Sequence, residues 1–180
     1  MTAPEYIQLR AFARVDGVKL FALWLASFVC YVAGLRSPGL GMVALLLAFI
    51  TPFVTVRLLK KYRDTGLEGV ISFRRGWGYV IFLFFYASLL FALAQFVYFA
   101  FLDKGFFAQA LNELFSTQES SNAMQVLGMG ASVGEMMQQL SAMRPIDLVL
   151  NILTSNLLIG CLLGLPVAAL CKRNRVEQVK

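Results

Sequence analysis

No histidine occurs among the 180 residues, so neither a Ser-His-Asp triad, a Cys-His pair nor a histidine-based zinc site can be assembled. Cys30, Cys161 and Cys171 stand far apart and form no C-x-x-C pair, and the first two lie within apolar spans and read as small packing residues. The carboxylates are singletons, apart from Asp64 and Glu68 on an i, i+4 spacing beside four basic residues. Five of the seven methionines (Met124, Met129, Met136, Met137 and Met143) crowd one segment. Without accompanying His or Cys, their spacing is that of a packed helix face rather than a thioether copper site. No catalytic, cofactor-binding or metal-ligating residue can be nominated. The expectation is a protein that is not an enzyme.

The chemistry that is present is recognition of anions. Arg57, Lys60 and Lys61 are spaced i, i+3, i+4 and share one helix face, and Arg74-Arg75 follow as an adjacent pair. Such groups suit lipid phosphates or an acidic partner, and the same residues also serve simply as membrane anchors. A second polar set lies amid apolar sequence: Ser27, Gln95, Ser155 and Asn156. Gly160 and Gly164, four apart, form the small-residue pair that lets two helix backbones approach closely.

The elements that must position these residues follow from composition. Apolar and aromatic residues make up 59% of the chain, charged residues only 14%, and the mean hydropathy is +0.71. A soluble domain carries roughly a quarter charged residues, and a chain this short could not bury so much apolar surface in its own core. The reading is an all-α membrane protein with a single four-helix transmembrane domain over residues 1–180. A spanning helix needs ~20 apolar residues. Four stretches qualify, at about 20–35, 40–56, 78–102 and 148–170, and none contains Asp, Glu, Lys or Arg. Arg36-Ser37-Pro38-Gly39 reads as a tight turn that makes the first two an antiparallel hairpin.

Sidedness follows from the basic residues. Arg10, Arg14 and Lys19 precede the first span. Arg57, Lys60, Lys61, Arg63, Arg74 and Arg75 lie between the second and third. Lys172, Arg173, Arg175 and Lys180 follow the fourth. These are thirteen of the sixteen basic residues. Both termini are therefore expected in the cytoplasm, in a multi-pass protein of the cell inner membrane against anionic inner-leaflet lipid. The positive charge is explained by topology, so no nucleic-acid partner is expected. Trp77 and Tyr79 read as the inner interfacial belt, and Tyr31 and Tyr98 as the outer one.

Two segments lie outside the spans. The basic link 57–76 begins as a helical continuation; Ile71 and Phe73 are expected to dip into the headgroup boundary with the arginines on phosphates. The periplasmic, Met-rich segment 103–144 is expected to hold amphipathic helices over Lys104–Phe115 and Ser132–Met143. Inside the bundle, Gln95 lies eight residues in from Asp103 and Ser155 eight in from Asp147. Both would sit about 12 Å below the outer boundary, with Ser27 and Asn156 close to that depth. The four are expected to turn inward and bond across helices, because an amide facing lipid is costly.

Several stretches resemble a known family. They are Ala13…Asp16-Gly17, Gly69-Val70-Ile71-Ser72-Phe73 through Gly76 into Phe84-Phe85-Tyr86-Ala87-Ser88-Leu89-Leu90, and Pro145-Ile146 leading into Asn151-Ile152-Leu153-Thr154. Together they are similar to domain of unknown function 4199 (DUF4199), whose members are small four-helix inner-membrane proteins of Bacteroidetes type. The resemblance implies no assigned activity and no assigned catalytic residues. It also implies an association with membrane glycosyltransferases that act on polyprenyl phosphates, near which members are encoded. The functional expectation is a non-catalytic accessory or scaffold protein of the envelope, with such a glycosyltransferase as partner. The alternative is a homo-oligomer acting as a channel or as a lipid or solute translocator.

Overall fold

The structure is a computed structural model that describes residues 2–116, 135, 138–139 and 142–173. Four long helices dominate: α1 (Ala3–Gly34), α2 (Pro38–Gly66), α3 (Phe73–Val97) and α5 (Pro145–Cys171). A short α4 (Phe106–Ser116) follows α3. Among the described residues the only β pairing is an isolated bridge between Ile71 and Arg173. The expected all-helical class and four spans are present.

The helices outrun the apolar stretches at both ends. α1 has 32 residues, about 48 Å at 1.5 Å per residue, against a hydrocarbon core of about 30 Å. Apolar runs stop at the first charge, whereas a helix continues until a cap or a breaker stops it. Glu5 accepts the Thr2 N–H at 2.8 Å, and Pro4 suits the first turn of α1. α2 likewise continues through Arg57, Lys60 and Lys61 to Gly66. Glu68 and Gly69 then take left-handed conformations (φ 52° and 81°), and the Gly69 N–H closes on the Arg63 carbonyl at 3.0 Å. The non-helical part of the basic link is therefore only residues 67–72.

α3 ends in a π-type turn, Tyr98–Leu102, where the Asp103 N–H reaches the Tyr98 carbonyl at 2.9 Å. Lys104 and Gly105 reverse the chain, and the Asp103 carboxylate accepts the Gly105 and Phe107 N–H groups to start α4. The helix expected over Lys104–Phe115 thus begins two residues later. Phe107 of α4 packs against Tyr31 and Phe99. Most of the second amphipathic piece expected at Ser132–Met143, and most of the Met-rich stretch, lie outside the described residues.

Across the bundle the order is α2, α1, α3, α5, with the large interfaces between successive members. The core is built from Leu9, Leu20 and Trp24 of α1, Leu59 and Tyr62 of α2, Tyr79, Leu83 and Phe84 of α3, and Val167 and Cys171 of α5. At Gly17 of α1 an added Cβ would stand 2.9 Å from the Tyr86 Cβ, so α1 and α3 cross there almost backbone to backbone. The outward faces are apolar: Phe49 is 76% exposed and Phe53 72%, with Leu93, Leu162 and Leu170 similarly uncovered. A skin of this kind fits hydrocarbon and not water. The protein is a multi-pass membrane protein.

Candidate functional site

The N-terminal end of α1, the C-terminal end of α2, the start of α3 and the C-terminal end of α5 meet at one pole, the basic end of the bundle. A polar network absent from the expectations ties them together. Asp16, 4% exposed, accepts the Tyr79 hydroxyl at 2.6 Å and the ammonium of Lys19 one turn along α1. Tyr79 is fully buried and lies flat against Tyr62 of α2, ring centroids 4.8 Å apart and planes within 8°. The Tyr62 hydroxyl accepts from Nε of Arg75 at 3.2 Å. The Arg75 guanidinium also donates to Glu5 at 3.2 Å and to Gln8 at 2.8 Å, and Gln8 donates onward to the Gly66 carbonyl at 3.0 Å. Arg75 of α3 therefore grips α1 and α2 together.

α5 is fastened to the same pole by main-chain bonds. Ile71 and Arg173 exchange two N–H···O bonds, both 3.1 Å, and Arg63 donates to the Cys171 carbonyl at 3.3 Å.

These contacts correct four expectations. Tyr79 is a core residue, not an interfacial belt residue. Ile71, at 2% exposure, is covered by the end of α5 rather than dipped into headgroups. Arg75 is engaged inside the chain, whereas its neighbour Arg74 is exposed. Trp77 is also turned inward: its indole donates to the Cys161 carbonyl at 3.1 Å in the seam with α5. One signal for this network lay in the sequence: Asp16 beside the small Gly17, four residues before the first apolar stretch.

Arg57, Lys60, Lys61 and Arg74 all stand exposed at the basic end, as do Arg10 and Arg14 of α1. The first three lie along α2 short of its final turn, whose basic residue is Arg63. The arrangement is a set of solvent-accessible cations on a pole braced from within.

The intramembrane polar set is only partly brought together. Ser27 donates to the Ala44 carbonyl at 2.9 Å, joining α1 to α2, and Trp24 donates to Thr51 at 3.1 Å one turn away. Ser27 and Asn156 line the same cleft. Ser155 turns outward, onto a groove with Asp147, Asn151 and Thr154. Gln95 is 3% exposed, and its Oε1 has no hydrogen-bond partner among the described residues.

The register of α3 against α5 explains the difference. Gly76 faces Ala168, and Gly160 faces Phe84. That antiparallel register, continued, brings Ser88 level with Asn156 and Gln95 level with Val149. Gln95 thus lies seven residues, about 10 Å, from the level of Asn156. Counting inward from Asp103 and Asp147 assumed that the two acids mark one plane, and they do not.

Gly160 and Gly164 both face α3 within this bundle. A Cβ at Gly160 would stand 2.5 Å from Phe84 Cγ, and one at Gly164 2.8 Å from Trp77 Cδ1. Both helices approach through these two positions.

A sequence model of the family described as "Protein of unknown function (DUF4199)" matches residues 16–173, most of the chain. No curated protein matches, and no solved structure matches.

Proposed function

The chain belongs to the DUF4199 family, and from that premise we propose that it is a non-catalytic accessory or scaffold protein of the cell inner membrane. Both termini lie in the cytoplasm, and the basic end is the seat for anionic lipid headgroups and a membrane-associated partner. The observation that carries this reading is the separation of roles among the cations. Arg75 and Arg63 brace the pole from inside, while Arg57, Lys60, Lys61 and Arg74 are left exposed at the same pole. The buried carboxylate supports the non-catalytic part. Both Asp16 oxygens are occupied, by Tyr79 and Lys19, so the group serves as a strut between helices rather than as a base facing a substrate.

A glycosyltransferase working on polyprenyl-phosphate substrates is the partner class that the family resemblance suggests. Purification from native membranes in mild detergent tests this reading. Stoichiometric recovery of a cytosolic or membrane-surface enzyme, lost on changing Arg57, Lys60 and Lys61 to Gln, is the expected result. Recovery of the chain alone, with or without those changes, would overturn it. Sidedness is tested by fusing a reporter active only outside the cytoplasm: signal is expected from a fusion at Asn122 and none from one after Lys180.

A second reading, an oligomeric channel or lipid translocator, draws on the cleft lined by Ser27 and Asn156. Ion or lipid release from vesicles by the purified chain alone would favour it over the scaffold.

A further inference from the structure

α2 and α5 flank the central α1–α3 pair, and the hydrogen bonds joining them lie at the basic end, where Cys171 meets Val56 and Arg63. Away from that end lies a cleft of about 380 Å³ lined by residues of all four long helices. Its floor is aromatic and buried: Phe84 is 1% exposed, and Trp24 and Phe91 are each 9%. Its rim is open, with Leu45 of α2 61% exposed and Ile159 of α5 48%. The small Ala44 and Ala48 on the α2 wall are what leave the space.

We propose that this cleft binds one hydrocarbon chain of a bilayer phospholipid, entering sideways between α2 and α5. The lining is overwhelmingly apolar with few polar groups, the character of a site for an apolar ligand. The opening faces outward among lipid-exposed residues, so its surroundings are acyl chains. The buried aromatic floor lies behind an open apolar rim, an arrangement that a slim acyl chain enters from the side, and a helix from a second copy is the competing occupant that the cross-linking arm below tests. A slim chain laid along Phe28, Trp24 and Phe84 fits. Tyr31 lines the far end of the cleft, and its ring packs against Phe107 of α4. Phe106, next to Phe107 in α4, lies under the exposed Arg36, whose guanidinium stands 4.4 Å from the ring centre, and in this proposal that cation is the one offered to the lipid phosphate. The inference is independent of the role given to the basic end.

The two tryptophans make the test direct. In a Trp77→Phe variant, fluorescence reports on Trp24 alone. The protein is reconstituted in vesicles of phosphatidylcholine whose acyl chains are dibrominated, so that a chain touching an indole quenches it. Trp24 should be quenched at least half as strongly as a tryptophan placed on the outer face by Phe49→Trp, in a background lacking Trp24 and Trp77. Filling the cleft with Ala48→Phe, or with the smaller Ala48→Leu should the first not fold, should reduce Trp24 quenching at least twofold. Helical circular dichroism checks that each variant is folded. Quenching of Trp24 that is negligible, or that neither filler changes, overturns the proposal. So does absent quenching together with Leu45→Cys cross-linking between copies, which would assign the cleft to a second chain.

Discussion

The Tyr79 hydroxyl donates to Asp16 across the α1–α3 seam at 2.6 Å, beside the point where Gly17 lets the two backbones meet. A carboxylate taken from water needs partners close by, and here they come from one neighbouring helix and from one turn along its own. Because Tyr79 stacks on Tyr62 and Tyr62 accepts from Arg75, the Asp16 bond also sets where α2 and the start of α3 sit.

Removing one partner should therefore cost more than removing both. Tyr79→Phe should lower stability by about 1–3 kcal/mol, since it strips a hydrogen bond from a buried carboxylate. Asp16→Leu combined with Tyr79→Phe should regain part of that loss, because no unsatisfied buried group remains. Denaturant unfolding of the four members of this cycle in detergent micelles measures the coupling. Strictly additive losses would contradict a direct bond.

Adjacent arginines should behave differently. Arg75→Gln removes contacts to Glu5, Gln8 and Tyr62 and should lower the melting temperature measurably. Arg74→Gln, at an exposed site, should change stability by no more than about 0.5 kcal/mol. Its effect, with Arg57, Lys60 and Lys61, belongs to retention on anionic vesicles, which should weaken with each loss and with rising salt. Equal effects of the two substitutions on melting would remove the distinction between brace and exposed cation.

The glycines of α5 offer a steric test. Gly160→Leu places a side chain where the Phe84 ring already stands and should separate α3 from α5, costing about 3 kcal/mol or more. Gly39→Leu, at a position with nothing within 4 Å, should leave the fold unchanged. Thermal unfolding of both variants, followed by circular dichroism, decides it.

Charge and hydropathy made the spans legible because the bilayer imposes one requirement, apolar length, that needs no knowledge of packing. Gly160 and Gly164 were legible for a similar reason, since small residues four apart matter only where helices touch. Asp16 and Arg75 were hidden because both lie beyond the apolar stretches, where a charged residue reads as solvated. Only the extension of α1 to Ala3 and of α2 to Gly66 folds them inward. Ile71 was misplaced for the same reason: its cover, Arg173, arrives from the far end of the chain. The polar set failed on register. Depth along one helix can be counted from its own end, but the offset between helices is set by side chains such as Phe84 seating on Gly160.

That register puts Gln95 at the level of the apolar Val149, with its carbonyl oxygen buried and unbonded among the described residues. Ser88, 1% exposed, is in the same position. An unsatisfied buried amide or hydroxyl costs on the order of 1–3 kcal/mol, so removing it should help rather than harm. Gln95→Leu, close in volume, should raise stability or leave it unchanged, and Ser88→Ala should gain up to about 1 kcal/mol. Had Gln95 bonded across helices to Asn156, the same change would lose ~0.6–2 kcal/mol. Unfolding free energies of the two variants in one detergent separate these outcomes by sign. A clear loss with Gln95→Leu would contradict the reading of this amide oxygen as unsatisfied.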